Sequence, residues 1–592
     1  MDLFRTREEA MIASETVTES KAVKLSSSAV DKIEEVLAKK KQETIPDPGA
    51  NVRVKEALRT RGDEAKRVIN KELQQMLDRK VWVPVMSDRL PHKERQGIIG
   101  SSMFLKMKTH PDGSFDKYKA RLVASGNQQN KVLYDDLSSP TASTSGVFTV
   151  IAIAAHERRH SAVVDIGGAF LHADMTTGVK VHMRLDRTMS DFIVVLDPKY
   201  ATYRDDKGRV TVMLKKALYG CVESAALWYE NLRVTLQSLG YKRNSSDICV
   251  FNRAGKDGVQ CTVSVHVDDL LITSASDRMV NELAEGLRAR YGEISLTRGP
   301  LLNYLGMSID FTHAGEARIT MAGYVKDVLL SSGVTGNART PATDGLFEVR
   351  GDAVAVSEEI RVWFHRVVAQ LLYLAKRVRP ECLAAVAYLA TRVTRCNSHD
   401  IEKLFRLLRY IRWTVDLGLV LRPGVSGIVV RLFVDASYGV HGDGKSHTGS
   451  CVVIGDVGAV HCRSTKQAIV TKSSTEAELV GLSDSCNQAL HMRNFLIAQG
   501  YKMPCVVVYQ DNMSCMALVD RGRSGAERTR HIDIRYFWVK ERVEKGEMRV
   551  EHKGTKDMYA NVLTKPLQGS QFVYERQCLT GWSDIKGEKF LV

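Results

Sequence analysis

Apolar residues recur at helical spacing through EALRTRGDEAKRVINKELQQML, which predicts a helix over about residues 54–79. Downstream, MFLKMKT and SFDKYKARLVAS flank His110, Pro111, Asp112 and Gly113, a turn signal that predicts a β-hairpin. The longest apolar run, Val147 to Ala155, is too short to span a bilayer and predicts a buried helix. From about 146 to 300 helices and short strands mix. Between about 356 and 420 the pattern is helical, with Arg and Lys between apolar positions and a break near Pro380. From about 429 a new alternation, RLFVDASYGV, opens a second α/β unit that runs to about 566. Residues 1–50 form a leader, in which a charged helix over 30–41 would be broken at Pro46, Asp47, Pro48 and Gly49. Order and disorder stay open for that leader. There is no internal repeat and no low-complexity tract.

Composition narrows the picture. A chain of 592 residues, 44% apolar and 26% charged, has room for several packed domains. A net charge of +15 suits a polyanionic partner, although it also fits a merely basic soluble protein. The eleven cysteines include no CxxC pair, so neither a zinc knuckle nor a disulfide framework is indicated, and reduced thiols in an intracellular compartment are expected. The charged N-terminal stretch MDLFRTREEAMIASE lacks a signal-peptide core. No membrane association is expected.

Two groups of acids carry candidate chemistry. Asp165 ends the apolar run in VVDIGGAF, and Asp268 and Asp269 sit between the apolar runs of VSVHVDDLLIT, as at a tight hairpin. Carboxylates crowded at a turn are costly unless a cation sits with them, and a pair of divalent ions is the natural partner. A polar hairpin tip is the plain alternative. Farther on, Asp435 in LFVDASYG and Asp511 in VVVYQDNMS end strand-like runs, while Glu478 lies on a helix opened by the Ser/Thr caps of SSTEAE. Glu476 is two residues from Glu478 and so faces elsewhere. Lys119 and Arg121 are two apart on a strand, so they share a side and are candidates for binding phosphate. A solvated strand face is the alternative for them. The cations Arg361, Arg366, Lys376, Arg377, Arg379 and Arg392 either track a duplex backbone or form a solvated helix face.

KYKARLVASGNQQ, DLSSPTAS, VVDIGGAFLHADM, LKKALYGCVESAALWY, SDICVF, VHVDDLLIT and YLGMSI occur in that order. They resemble the successive blocks of copia-type reverse transcriptases. STKQAIVTKSSTEAE, YQDNMSCMALV, ERTRHIDIRYFWVKERV and NVLTKPL resemble the C-terminal RNase H of copia-type LTR-retrotransposon Pol polyproteins. The resemblance implies an α+β and α/β multidomain chain. A right-hand polymerase of fingers, palm and thumb would be followed by a helical connection and an RNase H-like domain. Fingers and palm are expected over 51–325, thumb and connection over 326–425, RNase H over 426–570 and a C-terminal tail over 571–592.

The same resemblance implies RNA-directed DNA synthesis and hydrolysis of the RNA in RNA–DNA hybrids. Asp165, Asp268 and Asp269 would hold two Mg²⁺ ions, and Asp435, Glu478 and Asp511 another two, with Mn²⁺ as an alternative. Phe170 would be the steric gate that rejects the 2′-hydroxyl of a ribonucleotide, or else a core ring. RNA template, DNA primer, RNA–DNA hybrid and dNTPs are the implied partners, in a cytoplasmic virus-like particle or the nucleus. Several positions depart from the family. His266 stands where Tyr is usual, Ser125 where Lys is usual, and Glu223 where a Gln is expected beside the nucleotide. Asn561 replaces the expected fourth acid of the RNase H, with Asp557 one turn earlier as a substitute and His552 as a base or a surface residue. These changes leave a second expectation open, a catalytically impaired or domesticated remnant that binds nucleic acid. No protease DTG or DSG triad and no HHCC integrase pattern is present.

Overall fold

In this computed structural model the described residues are Ile33 and 51–583, less 110–114, 135, 136, 138, 257, 352 and 522–529. The expected leader and the tip of the hairpin at 110–113 therefore lie outside them, Ile33 excepted.

The first helix, Val54–Asp78, buries Ala57, Ala65, Ile69, Leu73 and Met76, the stripe its periodicity predicts. It packs on a six-stranded sheet in the order Asn51–Arg53, Ile99–Thr109, His182–Leu185, Val210–Leu214, Trp82–Val85, with Phe115–Ala124 paired to Ile99–Thr109 as the expected hairpin. A second six-stranded sheet runs Ile294–Arg298, His160–Ile166, Asp269–Ser274, Gln260–His266, Val250–Ala254, Lys242–Arg243. Its strands are apolar on the face covered by the helices Ser224–Ser238 and Asp277–Tyr291, which closes a separate core around Trp228, Leu283 and Leu287.

The helix Thr144–His156 is buried from Ser145 through Ala155, as its unbroken apolar run requires. No helix among the described residues is long and apolar enough to cross a membrane. This helix joins a core that continues through the helices Glu358–Ala375, Leu383–Ala390 and Ser398–Trp413 into a third layered unit. That unit is a five-stranded sheet in the order Ala459–Lys466, His447–Ile454, Val430–Ser437, Val506–Gln510, Met548–His552. Its first three strands are antiparallel and the last two join in parallel. The long helix Ser474–Ala498 lies across it.

Packing runs across the expected domain limits. Leu419–Leu421 completes a four-stranded sheet with Ala317–Thr320, so the segment before 425 closes back on the one before 325. The expected C-terminal tail begins inside a helix, Gly569–Thr580, whose Phe572, Glu575, Arg576 and Leu579 are buried. Two of the cations expected along a duplex are internal instead. Arg379 pairs with Glu381 at 2.7 Å and Arg392 with Asp400 at 3.0 Å, all four side chains being nearly or wholly buried. Buried guanidinium groups of this kind serve the fold, because a charge out of water needs its partner.

Candidate active sites

The strand His160–Ile166 delivers Asp165 at its end, and Asp269 opens the neighbouring antiparallel strand directly opposite it. Side chains opposite one another in an antiparallel pair share a face, so the two acids stand on one face of the sheet. His266 pairs with Asp269 across the other strand, which leaves Val267 and Asp268 as a two-residue hairpin loop. Val267 has φ of +59°, a conformation that a β-branched residue rarely takes and that costs on the order of 1–3 kcal/mol. Two contacts hold this turn. The indole N–H of Trp228 donates to the Val267 carbonyl at 2.6 Å, and the Ile166 amide donates to the Asp268 carbonyl at 3.3 Å. The three acids predicted from sequence are thus brought to one end of the sheet. Like charges placed opposite one another are unfavourable alone and suit an oxygen-seeking divalent cation.

Beside them opens a cavity of about 780 Å³, lined by Lys71, Glu72, Arg79, Lys119, Arg121 and Tyr219 among others. Lys119 and Arg121 therefore face one space, as their spacing predicts. The Arg121 guanidinium lies 4.8 Å from the centre of the Tyr219 ring, and Phe170 meets the same ring edge-on at 4.7 Å. Burial pushes the Tyr219 hydroxyl up, Arg121 opposes that shift, and the charges of Asp268, Glu72 and Asp165 add to it. Tyr219 so connects the cationic wall electrostatically to the acids. Phe170 is half-buried on a single 3₁₀ turn, Ala169–His172, and packs against the core that holds Trp228 and Leu283.

Glu223 does not line this cavity. It is 1% exposed and accepts from the Gln129 amide at 3.0 Å, so it belongs to interior packing outside the cavity. The carboxylate is still partly uncompensated, since Oε1 has no hydrogen-bond partner. His266 is also half-buried, with Nδ1 unpartnered. Burial and then Arg377 hold its imidazole below the usual range, against the pull of Asp268. Arg377 itself stacks on Tyr373, 3.5 Å from the ring centre, so its guanidinium is half withdrawn from solvent.

In the third unit Asp435 lies on the central strand Val430–Ser437, Glu478 on the helix Ser474–Ala498, and Asp511 just beyond the strand Val506–Gln510. One oxygen of each lies within 4.8 Å of the others, the tightest acid grouping among the described residues. Asp435 is 1% and Glu478 5% exposed. Burial, then the charges of Asp435 and Asp511, push the Glu478 carboxyl up to about 9. Ser473 caps the helix by accepting from the Glu476 amide at 3.2 Å, and Glu476 turns back to the Lys472 amide, away from the cluster. An all-carboxylate, crowded and buried donor set fits a hard divalent ion.

The fourth position is built differently. Asn561 is 2% exposed; its amide donates to the Thr555 carbonyl at 2.7 Å and to Glu575 at 3.1 Å. Its oxygen accepts from the Lys565 ammonium at 2.9 Å, and the same ammonium donates to Asp435 at 3.1 Å. Burial would lower the Lys565 pKa, but Asp435, Asp511 and Glu478 hold it above its ordinary value. Thr564 donates its hydroxyl to the other Asp435 oxygen, and Thr555 donates to Asp511 at 2.9 Å. Asp557 accepts from the Tyr574 hydroxyl at 3.0 Å and does not join the acid cluster. His552 ends the outer strand, exposed, opposite Gln510. Lys565, Thr564 and Glu575 were not singled out by sequence reasoning. Lys565 was within reach of it, because it stands one helical turn beyond Asn561.

The sequence family described as reverse transcriptase (RNA-dependent DNA polymerase) matches residues 85–343. The Arabidopsis thaliana Retrovirus-related Pol polyprotein from transposon RE1 is 27% identical over 80% of this chain and 31% of its own length. That from transposon TNT 1-94 of Nicotiana tabacum is 26% identical over 79% of this chain and 34% of its own length. The Ty1-JR2 Gag-Pol polyprotein of Saccharomyces cerevisiae is 23% identical over 84% of this chain and 28% of its own length. This chain thus spans about a third of the curated relatives it matches. A foamy viral protease-reverse transcriptase solved in complex with RNA/DNA hybrid is similar at a TM-score of 0.45 and 12% identity, over 91% of this chain and 65% of its own.

Proposed function

We propose, from the premise that the chain belongs with the copia-type retrotransposon Pol polyproteins and carries a reverse transcriptase domain, that it is an RNA-directed DNA polymerase with a C-terminal RNase H. The observation that carries the polymerase reading is the placement of Asp165 opposite Asp269, with Asp268 at the hairpin tip, next to a cavity walled by Lys119, Arg121 and Tyr219. The acids would hold two Mg²⁺ ions, or Mn²⁺, which lower the barrier to attack and neutralise the leaving group. Lys119 and Arg121 bind the triphosphate of a dNTP by charge and by a planar donor fork. The primer 3′-oxygen would form a bond to the α-phosphorus as its proton passes to solvent water, and the bond from the α-phosphorus to the β-phosphate oxygen would break to release pyrophosphate. Phe170, whose ring packs on Tyr219 at the cavity wall, would face the sugar of the bound nucleotide and disfavour a 2′-hydroxyl.

Asp435, Glu478 and Asp511 support hydrolysis of the RNA strand of a hybrid by a metal-activated water. Impaired RNase H activity is the second reading, favoured by the Asn561–Lys565–Asp435 contact, which brings an ammonium to a site where the family has a further acid. RNA template, DNA primer and RNA–DNA hybrid are the proposed partners. A cytoplasmic virus-like particle or the nucleus is the proposed location.

A primed RNA template with dNTPs and Mg²⁺ or Mn²⁺ tests the polymerase. Extension by the parent and its loss in Asp268→Asn support the reading; an inert parent that still binds duplex in a salt-dependent way rejects it. A labelled RNA–DNA hybrid, with Asp435→Asn as the control, tests the RNase H separately.

A further inference from the structure

The helix Val54–Asp78 ends at Arg79, which reaches the turn that follows Asp165. Its guanidinium donates to the Gly167 carbonyl at 3.1 Å and to the Gly168 carbonyl at 3.2 Å. The same group meets Nε2 of His172 at 2.7 Å. Arg79 has no acceptor, so Nε2 takes the hydrogen bond and the ring is neutral at that atom, with its other nitrogen left to donate. Burial, then Arg79, hold the His172 pKa down at about 4, while a hydrogen bond to the Gly167 backbone opposes them. His172 in turn lies edge-on to Tyr291 at 5.1 Å and 6.3 Å from the ring centre of Trp228. Trp228 is the residue that holds the Val267 carbonyl at the other catalytic turn.

Gly168 is shaped to this contact. It takes φ of +64°, and a Cβ there would lie 3.1 Å from Arg79 Nη1 and 3.0 Å from Gln75 Nε2. The glycine thus supplies both the left-handed conformation and the space the guanidinium occupies. The turn it begins carries Phe170, and the Gly168 carbonyl also accepts from the Leu171 amide at 2.9 Å. Arg79 lines the same cavity as Lys119, Arg121 and Tyr219.

We propose that Arg79 is a positioning residue for sugar selection: its planar fork, clamped on the Gly167 and Gly168 carbonyls and on His172, fixes the turn that aims Phe170 at the incoming nucleotide. This rests on the polymerase reading above and deepens it. The contact ties the helix Val54–Asp78 to the end of the Asp165 strand, and through His172 and Trp228 it reaches the Asp268 hairpin. A displaced Phe170 ring would leave room for a 2′-hydroxyl while the acids stay in place. Lysine cannot reproduce the clamp, since one ammonium lacks the rigid fork that spans two carbonyls.

The test is single-nucleotide extension of a primed RNA template, comparing kcat/KM for a dNTP with that for the matching rNTP. Arg79→Ala and Arg79→Lys are each expected to lower the dNTP/rNTP ratio about tenfold or more. Phe170→Ala should lower it too, and Arg79→Ala should add little further in the Phe170→Ala background, because both act through one ring. Gly168→Ala attacks the contact from its other side and should shift the ratio in the same direction. If Arg79→Ala slows dNTP and rNTP incorporation by the same factor and leaves the ratio unchanged, the proposal is overturned and the polymerase reading stands. If Arg79→Lys retains the full ratio, the clamp geometry is overturned. A parent that extends no primer overturns the polymerase reading and this inference with it.

Discussion

At Asn561 one amide group joins three partners: its nitrogen donates to Thr555 and Glu575 and its oxygen accepts from Lys565. A carboxylate at this position would draw the ammonium away from Asp435 and add negative charge beside Glu478 and Asp511. Asn561→Asp is therefore expected to raise the rate of RNA–DNA hybrid cleavage by about tenfold, roughly 1.4 kcal/mol in barrier. A rate unchanged or lowered would show that the Lys565 contact does not limit the site. Glu575 offers a second readout. It is wholly buried, and burial pushes its carboxyl up to about 7 despite bonds from Gln571, Asn561 and the Val562 amide. An acid whose folded pKa exceeds its unfolded value holds its proton more tightly when folded, so stability falls as pH rises from about 4.5 to about 7 and then levels. The loss amounts to about 3 kcal/mol at most. Melting temperatures at pH 5 and pH 8 should differ in that sense, and Glu575→Gln should narrow the gap.

The same scale shows where sequence reasoning stops. Asp165, Asp268 and Asp269 were legible because they stand where apolar runs stop and start, at the ends of paired strands. Glu223 was not, because what buries it includes Gln129, some ninety positions earlier in the chain. Arg379 and Arg392 read as surface cations until Glu381 and Asp400 closed on them in the fold.

Elements were more readable than their couplings. Two apolar runs around Asp268 and Asp269 predict the hairpin that forms, and an unbroken apolar run predicts the buried helix Thr144–His156. Nothing local announces that the helix Ser224–Ser238 supplies the indole that secures the hairpin. The Val267 φ of +59° needs such a support, since a strained turn persists only where its surroundings over-determine it. Trp228→Phe keeps the aromatic bulk in the core and removes the N–H. It is expected to leave the half-buried Val267 carbonyl without this donor at a cost of about 1 kcal/mol and to lower kcat for extension about tenfold with the dNTP KM little changed. Pre-steady-state extension over a range of dNTP concentrations separates the two constants. A raised KM with kcat intact would place Trp228 with substrate binding instead of with the hairpin.

Across the whole molecule, the unit that carries Asp435 is fastened to the sheet that carries Asp165 rather than hung from it by a linker. The Asn244 amide donates to the Phe495 carbonyl at 3.1 Å, the Gln260 amide to the Gln499 carbonyl at 2.6 Å, and Arg159 to the Tyr501 hydroxyl at 3.3 Å. Thr149 on the buried helix meets Met492 at 2.8 Å, and one apolar core runs from Val147 through Phe364 to Phe495. The alternating pattern that begins near 429 falls on the strand Val430–Ser437, but such a pattern reports which face of a strand is buried and not what covers the sheet's back. A chain cut after residue 425 would keep Asp165, Asp268 and Asp269 and yet expose the face of Thr144–His156 that this unit covers. Its polymerase is therefore expected to melt well below the intact chain and to lose extension activity at temperatures the intact chain survives. Asn244→Ala, which removes one bond across this contact while the Phe495 carbonyl keeps the Gln499 amide as donor, is the milder form of the same test, with an expected loss of about 0.5–1.5 kcal/mol. Because one core carries both sites, heating should abolish primer extension and hybrid cleavage together in the parent and, a few degrees lower, in the variant. Loss of hybrid cleavage well before primer extension would mean that the two units unfold independently and that the shared core does not couple them.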